Sequence, residues 1–155
     1  MNAAVSVARQ GDFVQIHRQA LVHFTPEQMF DLVNEVEAYP RRFAWCRGAN
    51  VSEHDGQHLI ARLDLRFAGV TQHFSTRNTL DRPRSIRMQF VDGPFDWLHG
   101  VWTFTKLGDD GCKVALDLDF EVSNRLTGFA FRIGFQKLAD RMVDDFCAEA
   151  RRAYA

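Results

Sequence analysis

Three polar residues, Gln72, Thr76 and Asn78, interrupt the apolar phase of an alternating segment running from Val70 to Leu80. On the dry side of a strand such groups need partners, because an unpaired buried polar group costs about 1–3 kcal/mol. The partner is either a neighbouring protein group or the polar end of a bound molecule. Arg18 raises the same question within Val14 to Phe24, where it breaks an otherwise apolar phase. An ion pair or a place at the sheet edge would satisfy it, and so would a ligand that it anchors. Catalytic chemistry has less to stand on. Asp117, Asp119 and Glu121 alternate with apolar residues and fall on a solvated face. His54 and His58 flank the Asp55-Gly56 turn without the third ligand a metal needs. Ser75 lacks a nucleophile-elbow sequence, and His73 and Arg77 share the outer phase of their segment. Cys46, Cys112 and Cys147 are odd in number, widely spaced and without a C-x-x-C pair, so they read as small core residues of a reducing compartment. Arg41, Arg42 and Arg47, with Arg82, Arg84 and Arg87 or with Arg151 and Arg152, are the residues from which a basic patch for RNA or lipid head groups could be built; the alternative is ordinary solvated charge.

The elements that position these residues follow from periodicity. Val14, Ile16, Ala20, Val22 and Phe24 share one phase of a period-two segment, which predicts a half-buried strand. Thr25-Pro26-Glu27-Gln28 is a capping box with proline at the first helical position, so a short helix should follow to about Val36 and end at Tyr39-Pro40. From Trp45 to Phe120, alternating runs are cut by Asp55-Gly56, Ala68-Gly69, Asp81-Arg82-Pro83, Asp92-Gly93-Pro94 and Gly108-Asp109-Asp110-Gly111. Connections this short force antiparallel neighbours, a meander. The dry phase holds Leu59, Ala61, Leu63, Leu65 and Phe67, then Val70, Phe74 and Leu80, then Ile86, Met88 and Phe90, then Val114, Leu116, Leu118 and Phe120; the wet phase holds Arg62, Asp64, Arg66, Lys113, Asp117, Asp119 and Glu121. From Asn124 to about Tyr154 the spacing becomes helical, with Phe131, Phe135, Leu138, Met142 and Phe146 on the apolar side.

The chain has 155 residues, the size of one domain, and its 46% hydrophobic and 25% charged residues are ordinary globular values. Nineteen Lys+Arg against twenty Asp+Glu give a formal charge of -1, which removes the whole-molecule attraction of a generic nucleic-acid or anionic-membrane binder. Fourteen Phe and three Trp against two Tyr make the aromatic surface almost entirely apolar. No secretory signal pattern and no run of about 18 apolar residues is present, so the expected location is the cytoplasm, with peripheral contact at the inner membrane as an extension. Residues 1–12 are expected to be a flexible extension and 13–155 a single α+β domain, with one long helix on one face of an antiparallel sheet.

Ile16-His17-Arg18, Ala20-Leu21-Val22, Phe24 to Val33, Val36-Glu37-Ala38-Tyr39-Pro40 and Trp45-Cys46 together resemble the opening of a known family. Phe74-Ser75-Thr76-Arg77-Asn78, Gly93-Pro94-Phe95 with Leu98, Gly100, Trp102 and Phe104, and Leu118-Asp119-Phe120-Glu121 before Asn124 and Leu126 continue the match in order and spacing. The resemblance, from about Gly11 to the C-terminus, is to the START-like (SRPBCC) helix-grip proteins grouped as polyketide cyclase/dehydrase and coenzyme-Q-binding proteins, whose bacterial members are also called RatA-type ribosome-association toxins. Arg41-Arg42-Phe43-Ala44 departs from it, where the family has a more apolar stretch with proline. The resemblance implies a helix-grip fold, about seven strands wrapped around the C-terminal helix with a hydrophobic tunnel between them. It implies ubiquinone or a related isoprenoid quinone as ligand in one branch, supporting respiration, and interference with ribosomal subunit association through the large subunit in the other. It implies no catalytic set, no metal and no required cofactor; DNA is not an expected partner. The tunnel residues expected on this basis are Gln72, Phe74, Thr76, Asn78, Met88, Phe90, Trp102, Phe104, Leu116, Leu118, Phe135, Leu138 and Met142. From the residues themselves, Arg18 is a candidate polar anchor, and Arg41, Arg42 and Arg47 are the candidates for a ribosome or membrane patch.

Overall fold

The computed structural model describes residues 13–67, 69–123 and 128–154. The 1–12 extension and the expected start of the last helix at Asn124 fall outside them. Strand β1 (Phe13–Val22) leads into helix α1 (Pro26–Asn34), a 3-10 turn (Val36–Ala38) and the single turn α2 (Tyr39–Arg42). Strands β2 (Cys46–Ser52), β3 (His58–Phe67), β4 (Val70–Asp81), β5 (Ser85–Asp92), β6 (Phe95–Leu107) and β7 (Gly111–Val122) follow, and helix α3 (Gly128–Tyr154) closes the chain. The strands form one antiparallel sheet in the order β1-β7-β6-β5-β4-β3-β2, the meander completed by β1 pairing with β7.

At α1 the capping box forms on both sides: the Gln28 amide donates to Thr25 Oγ1 at 3.1 Å, and Gln28 Oε1 accepts from the Thr25 amide at 2.9 Å. Thr25→Ala removes one of these bonds from an orphan helical donor and is expected to cost about 1 kcal/mol, read as a lower urea midpoint with unchanged m. The helix stops at Asn34, two residues before the expected end. Tyr39-Pro40 does not break helical structure either. Tyr39 has φ -55 and ψ -40, and Pro40 sits in the first turn of α2, where its missing N–H is no loss.

Seven strands about 4.8 Å apart make a sheet about 29 Å wide, whereas one helix covers about 10–12 Å. Helix α3, about 40 Å long, lies against β1, β7 and α1. The first turns of α3 also reach Phe67 of β3 and Phe74 of β4, and the segment from α1 to Trp45 roofs the rest of the concave face. The side beneath the start of α3 is solid: Phe95 meets Phe135 at 4.9 Å and Phe131 at 5.7 Å, and Phe120 meets Phe135 at 5.0 Å between ring centroids. The dry-phase residues Leu59, Ala61, Leu65, Ile86, Val114, Leu116, Leu118 and Phe120 are all buried, as the alternation predicts. Asp119, placed on the wet phase, is instead only half exposed, with Oδ1 buried and without a hydrogen-bond partner among the described residues. Burial raises its pKa, the charges of His99 and His17 opposing the shift.

Candidate functional site

Between the concave face and its roof lies a cavity of about 70 Å3. Strands β3 to β7 supply its floor: Ala61 and Leu63, Phe74, Thr76 and Asn78, Met88, Leu98 and Trp102, Leu116 and Leu118. Phe135 and Met142 of α3 and Val36, Tyr39 and Trp45 of the roof close it. Register explains the convergence. Thr76 stands opposite Ala61 and Phe90, Asn78 opposite Leu59 and Met88, and Trp102 opposite Ile86 and Leu116, so each points the same way from its pleat.

One part of this wall is polar. Thr76 and Asn78 are each 5% exposed, and Thr76 Oγ1–H donates to Asn78 Oδ1 at 2.7 Å. That local bond is one of the two solutions the sequence leaves open, and it satisfies only part of the pair. The Asn78 Nδ2 donors have no protein partner among the described residues. The same holds for the indole N–H of the buried Trp102, whereas Trp45 and Trp97 donate to Asp145 and Glu121. Among the described residues the lining contains no carboxylate, imidazole, thiol or amine. Its one ionisable group, the Tyr39 hydroxyl, donates to the Val33 carbonyl, and burial raises its pKa. Burial also pushes the Cys46 and Cys112 thiols up to about 11, away from thiolate chemistry.

The roof is fastened to α3 by charge. Arg42 reaches Glu149 and Glu35, each at 2.8 Å, Arg152 adds a second bond to Glu149 at 3.1 Å, and Trp45 Nε1 donates to Asp145 at 3.3 Å. Burial of Glu149 works against its ionisation, but the bonds from Arg152 and Arg42 outweigh it and hold the carboxyl below its ordinary 4.5. A carboxyl depressed in the folded state contributes stability that is complete above the unfolded value and is lost as pH falls through the folded one. Glu149→Gln is therefore expected to lower Tm at pH 7 and to narrow the gap to wild type as the pH drops below 4.5, in melts followed across that range.

Nine of the thirteen expected tunnel residues meet at this cavity: Phe74, Thr76, Asn78, Met88, Trp102, Leu116, Leu118, Phe135 and Met142. Four do not. Phe90 packs its ring on Phe95 at 5.9 Å, Phe104 faces Phe30 at 5.8 Å and Trp102 at 6.3 Å, Leu138 is buried in the core, and Gln72 borders a groove with Arg47 and His73 near the edge of the sheet. Arg18 lies exposed on β1 and pairs with Asp140 of α3, so it anchors a helix to the sheet edge. Arg41, Arg42 and Arg47 do not form one patch: Arg42 is held between Glu35 and Glu149, Arg41 is exposed on α2, and Arg47 stands on β2 beside the groove. Six wall residues stand outside the expected tunnel set: Val36, Tyr39, Trp45 and Leu98, all in the family-like segments, and Ala61 and Leu63, expected only on the dry phase of their strand. Among the described residues no group of His, Cys, Asp and Glu could hold a metal, and no helix is long and apolar enough to cross a membrane.

The family described as polyketide cyclase / dehydrase and lipid transport matches residues 22–147. Over 141 residues the chain is 41% identical to the ribosome association toxin RatA of Escherichia coli strain K12, spanning 91% of this chain and 89% of that one. It is 25% identical over 149 residues to the mitochondrial coenzyme Q-binding protein COQ10 of Drosophila melanogaster, spanning 91% of this chain and 62% of that one. The crystal structure of the Zhui aromatase/cyclase from Streptomyces sp. R1128 has a TM-score of 0.78 at 18% identity, over 92% of this chain and 96% of that one, a likeness of fold alone.

Proposed function

Because the chain belongs to the polyketide cyclase / dehydrase and lipid transport family, we propose that it binds a lipophilic small molecule without transforming it, and that the head group is the ring of an isoprenoid quinone such as ubiquinone. One observation carries this reading: the buried Thr76–Asn78 pair and the Trp102 indole bring spare hydrogen-bond donors to an otherwise apolar cavity. Quinone carbonyls are acceptors that need donors of this kind, and each such bond contributes about 0.5–1.5 kcal/mol net. Among the described residues Tyr39 is the one titratable side chain of the lining, and its hydroxyl is already engaged by the Val33 carbonyl, which supports binding without transformation.

The cavity is small against the ~300–1,000 Å3 of ordinary ligand sites, so a ring enters only if the wall gives way. Met88 and Met142 are suited to that, being unbranched and adaptable. Trp45, Leu63, Phe74, Met88 and Met142 are the half-exposed wall residues and mark the side from which a tail would leave. Each isoprene unit buried there would add roughly 3–4 kcal/mol before ordering costs. The test is a titration with a short-chain ubiquinone analogue followed by tryptophan fluorescence. Saturable quenching, weakened in Trp102→Leu, is expected; quenching that never saturates would contradict the reading, and unchanged affinity in Trp102→Leu would remove Trp102 from the site.

A second reading, association with the large ribosomal subunit, draws on the 41% identity over 141 residues to a relative named for ribosome association. It needs no cavity, so one chain can do both. Co-sedimentation of the purified protein with large subunits at low salt is the expected result, and its absence there would sink this reading.

A further inference from the structure

The outer face of the sheet is divided by charge. On β7 it carries Asp117, Asp119 and Glu121, relieved by Lys113; on β2 to β5 it carries Arg47, Arg62, Arg66, Arg77 and Arg87, relieved by Asp64 and, at the ends of β4 and β5, by Asp81, which Arg84 engages, and Asp92. Asp64 is engaged by Arg62 at 3.2 Å, and Asp92 lies 3.6 Å from His73. Arg47, Arg66, Arg77 and Arg87 are all exposed, and none has a carboxylate partner among the described residues. Elsewhere among the described residues Arg18, Arg42, Arg82, Arg84, Arg141 and Arg152 are each paired, and the exposed Arg41 and Arg151, on separate helices, are not gathered on one face. Between β2, β3 and β4 the same face is hollowed into a groove of about 440 Å3 bordered by Arg47, Arg62, Arg66, Thr71, Gln72 and His73, with Asp64, held by Arg62, as its one carboxylate among the described residues.

We propose that this arginine face, on the side of the sheet away from the cavity, binds the phosphate backbone of folded RNA. Deepening the ribosome-association reading, the inference rests on it for the choice of RNA. The chemistry of the face fits. Guanidinium groups recognise phosphate oxygens through paired N–H bonds that an ammonium cannot reproduce, and the basic half of the face contains no lysine. Diagonal neighbours on paired strands, such as Arg62 and Arg77, stand about 7–8 Å apart, so several phosphates can be met at once. The acidic strand β7 repels the same backbone, which confines contact to one half of the sheet and reconciles local RNA binding with a net charge of -1. A bilayer fits less well. Apart from Val91 at the end of β5, the exposed large apolar residues Leu21, Leu107, Phe129, Ile133 and Tyr154 lie off this half-face.

The test is the affinity of the full chain for fluorescein-labelled large-subunit ribosomal RNA fragments, measured by anisotropy over a salt series. Wild type is expected to show log K falling with log salt at a slope of about -3, four arginines each displacing less than one counterion. Arg66→Glu/Arg77→Glu should lose at least about tenfold in affinity and flatten the slope, while Arg151→Glu, an exposed change on α3, should do neither. Equal binding by the double variant, or an equal loss in Arg151→Glu, overturns the assignment. So does arginine-dependent pelleting with phosphatidylglycerol vesicles in the absence of RNA binding. Unchanged circular dichroism and Tm exclude a folding defect. Sedimentation with intact large subunits separates the two levels. If wild type and double variant pellet alike, ribosome association stands and this face is wrong. If neither pellets but RNA binding still depends on the arginines, the face stands and the ribosome reading falls.

Discussion

Phe135→Ala should lower stability by about 3–5 kcal/mol, the loss expected for truncating a buried phenylalanine. Phe135 is 2% exposed, and its ring meets those of Phe74, Phe95, Phe120 and Phe131 at 4.9 to 5.8 Å, so the cavity left behind is walled mainly by rigid rings that refill it poorly. A domain of this size has about 5–15 kcal/mol in total, which leaves the variant marginal but measurable by urea titration. The same change has a second expected effect. Phe135 is a wall of the ligand cavity, so the surviving folded fraction should accept a larger ring than wild type does. A loss below about 1 kcal/mol would mean that α3 is not seated on the aromatic cluster, and the account of the fold would be wrong there.

The second large effect is expected at the polar pair. Thr76→Val/Asn78→Leu replaces both members of one hydrogen bond by apolar groups of similar shape, a change that is close to neutral for folding and can even stabilise. Quinone affinity should nevertheless fall at least about tenfold, because a bound carbonyl then meets no donor from β4. The two readouts therefore move independently. If the pair serves only the core, ligand affinity is unchanged; if it serves a ligand, the titration shows the loss while the denaturation midpoint stays close to that of wild type.

Period-two alternation was enough to read the floor of the cavity, since registered strands force same-phase residues onto one face. It did not distinguish the middle of that face from its margins. Gln72, Phe90 and Phe104 share the inner phase with true wall residues, yet they lie towards the end or edge of the sheet or over the aromatic packing, where curvature carries them away. The roof was illegible for a different reason. Tyr39 and Trp45 come from a short irregular segment without periodicity, held in place by Arg42 to Glu149 across 107 residues of sequence. That pairing also dissolves the basic patch expected at Arg41, Arg42 and Arg47. Close approach of α3 to the sheet depends on Gly134, where a Cβ would come within 2.3 Å of the Phe67 ring, a fit that helical spacing alone cannot disclose.

The central claim, a cavity that holds a lipophile, is tested most directly by extracting the natively purified protein with organic solvent and identifying the extract by mass spectrometry and ultraviolet absorbance. The account predicts a stoichiometric isoprenoid quinone that is absent from Thr76→Val/Asn78→Leu prepared in the same way. A lipid-free wild-type protein that also takes up no added quinone would contradict it, and would make the space between sheet and helix a packed core.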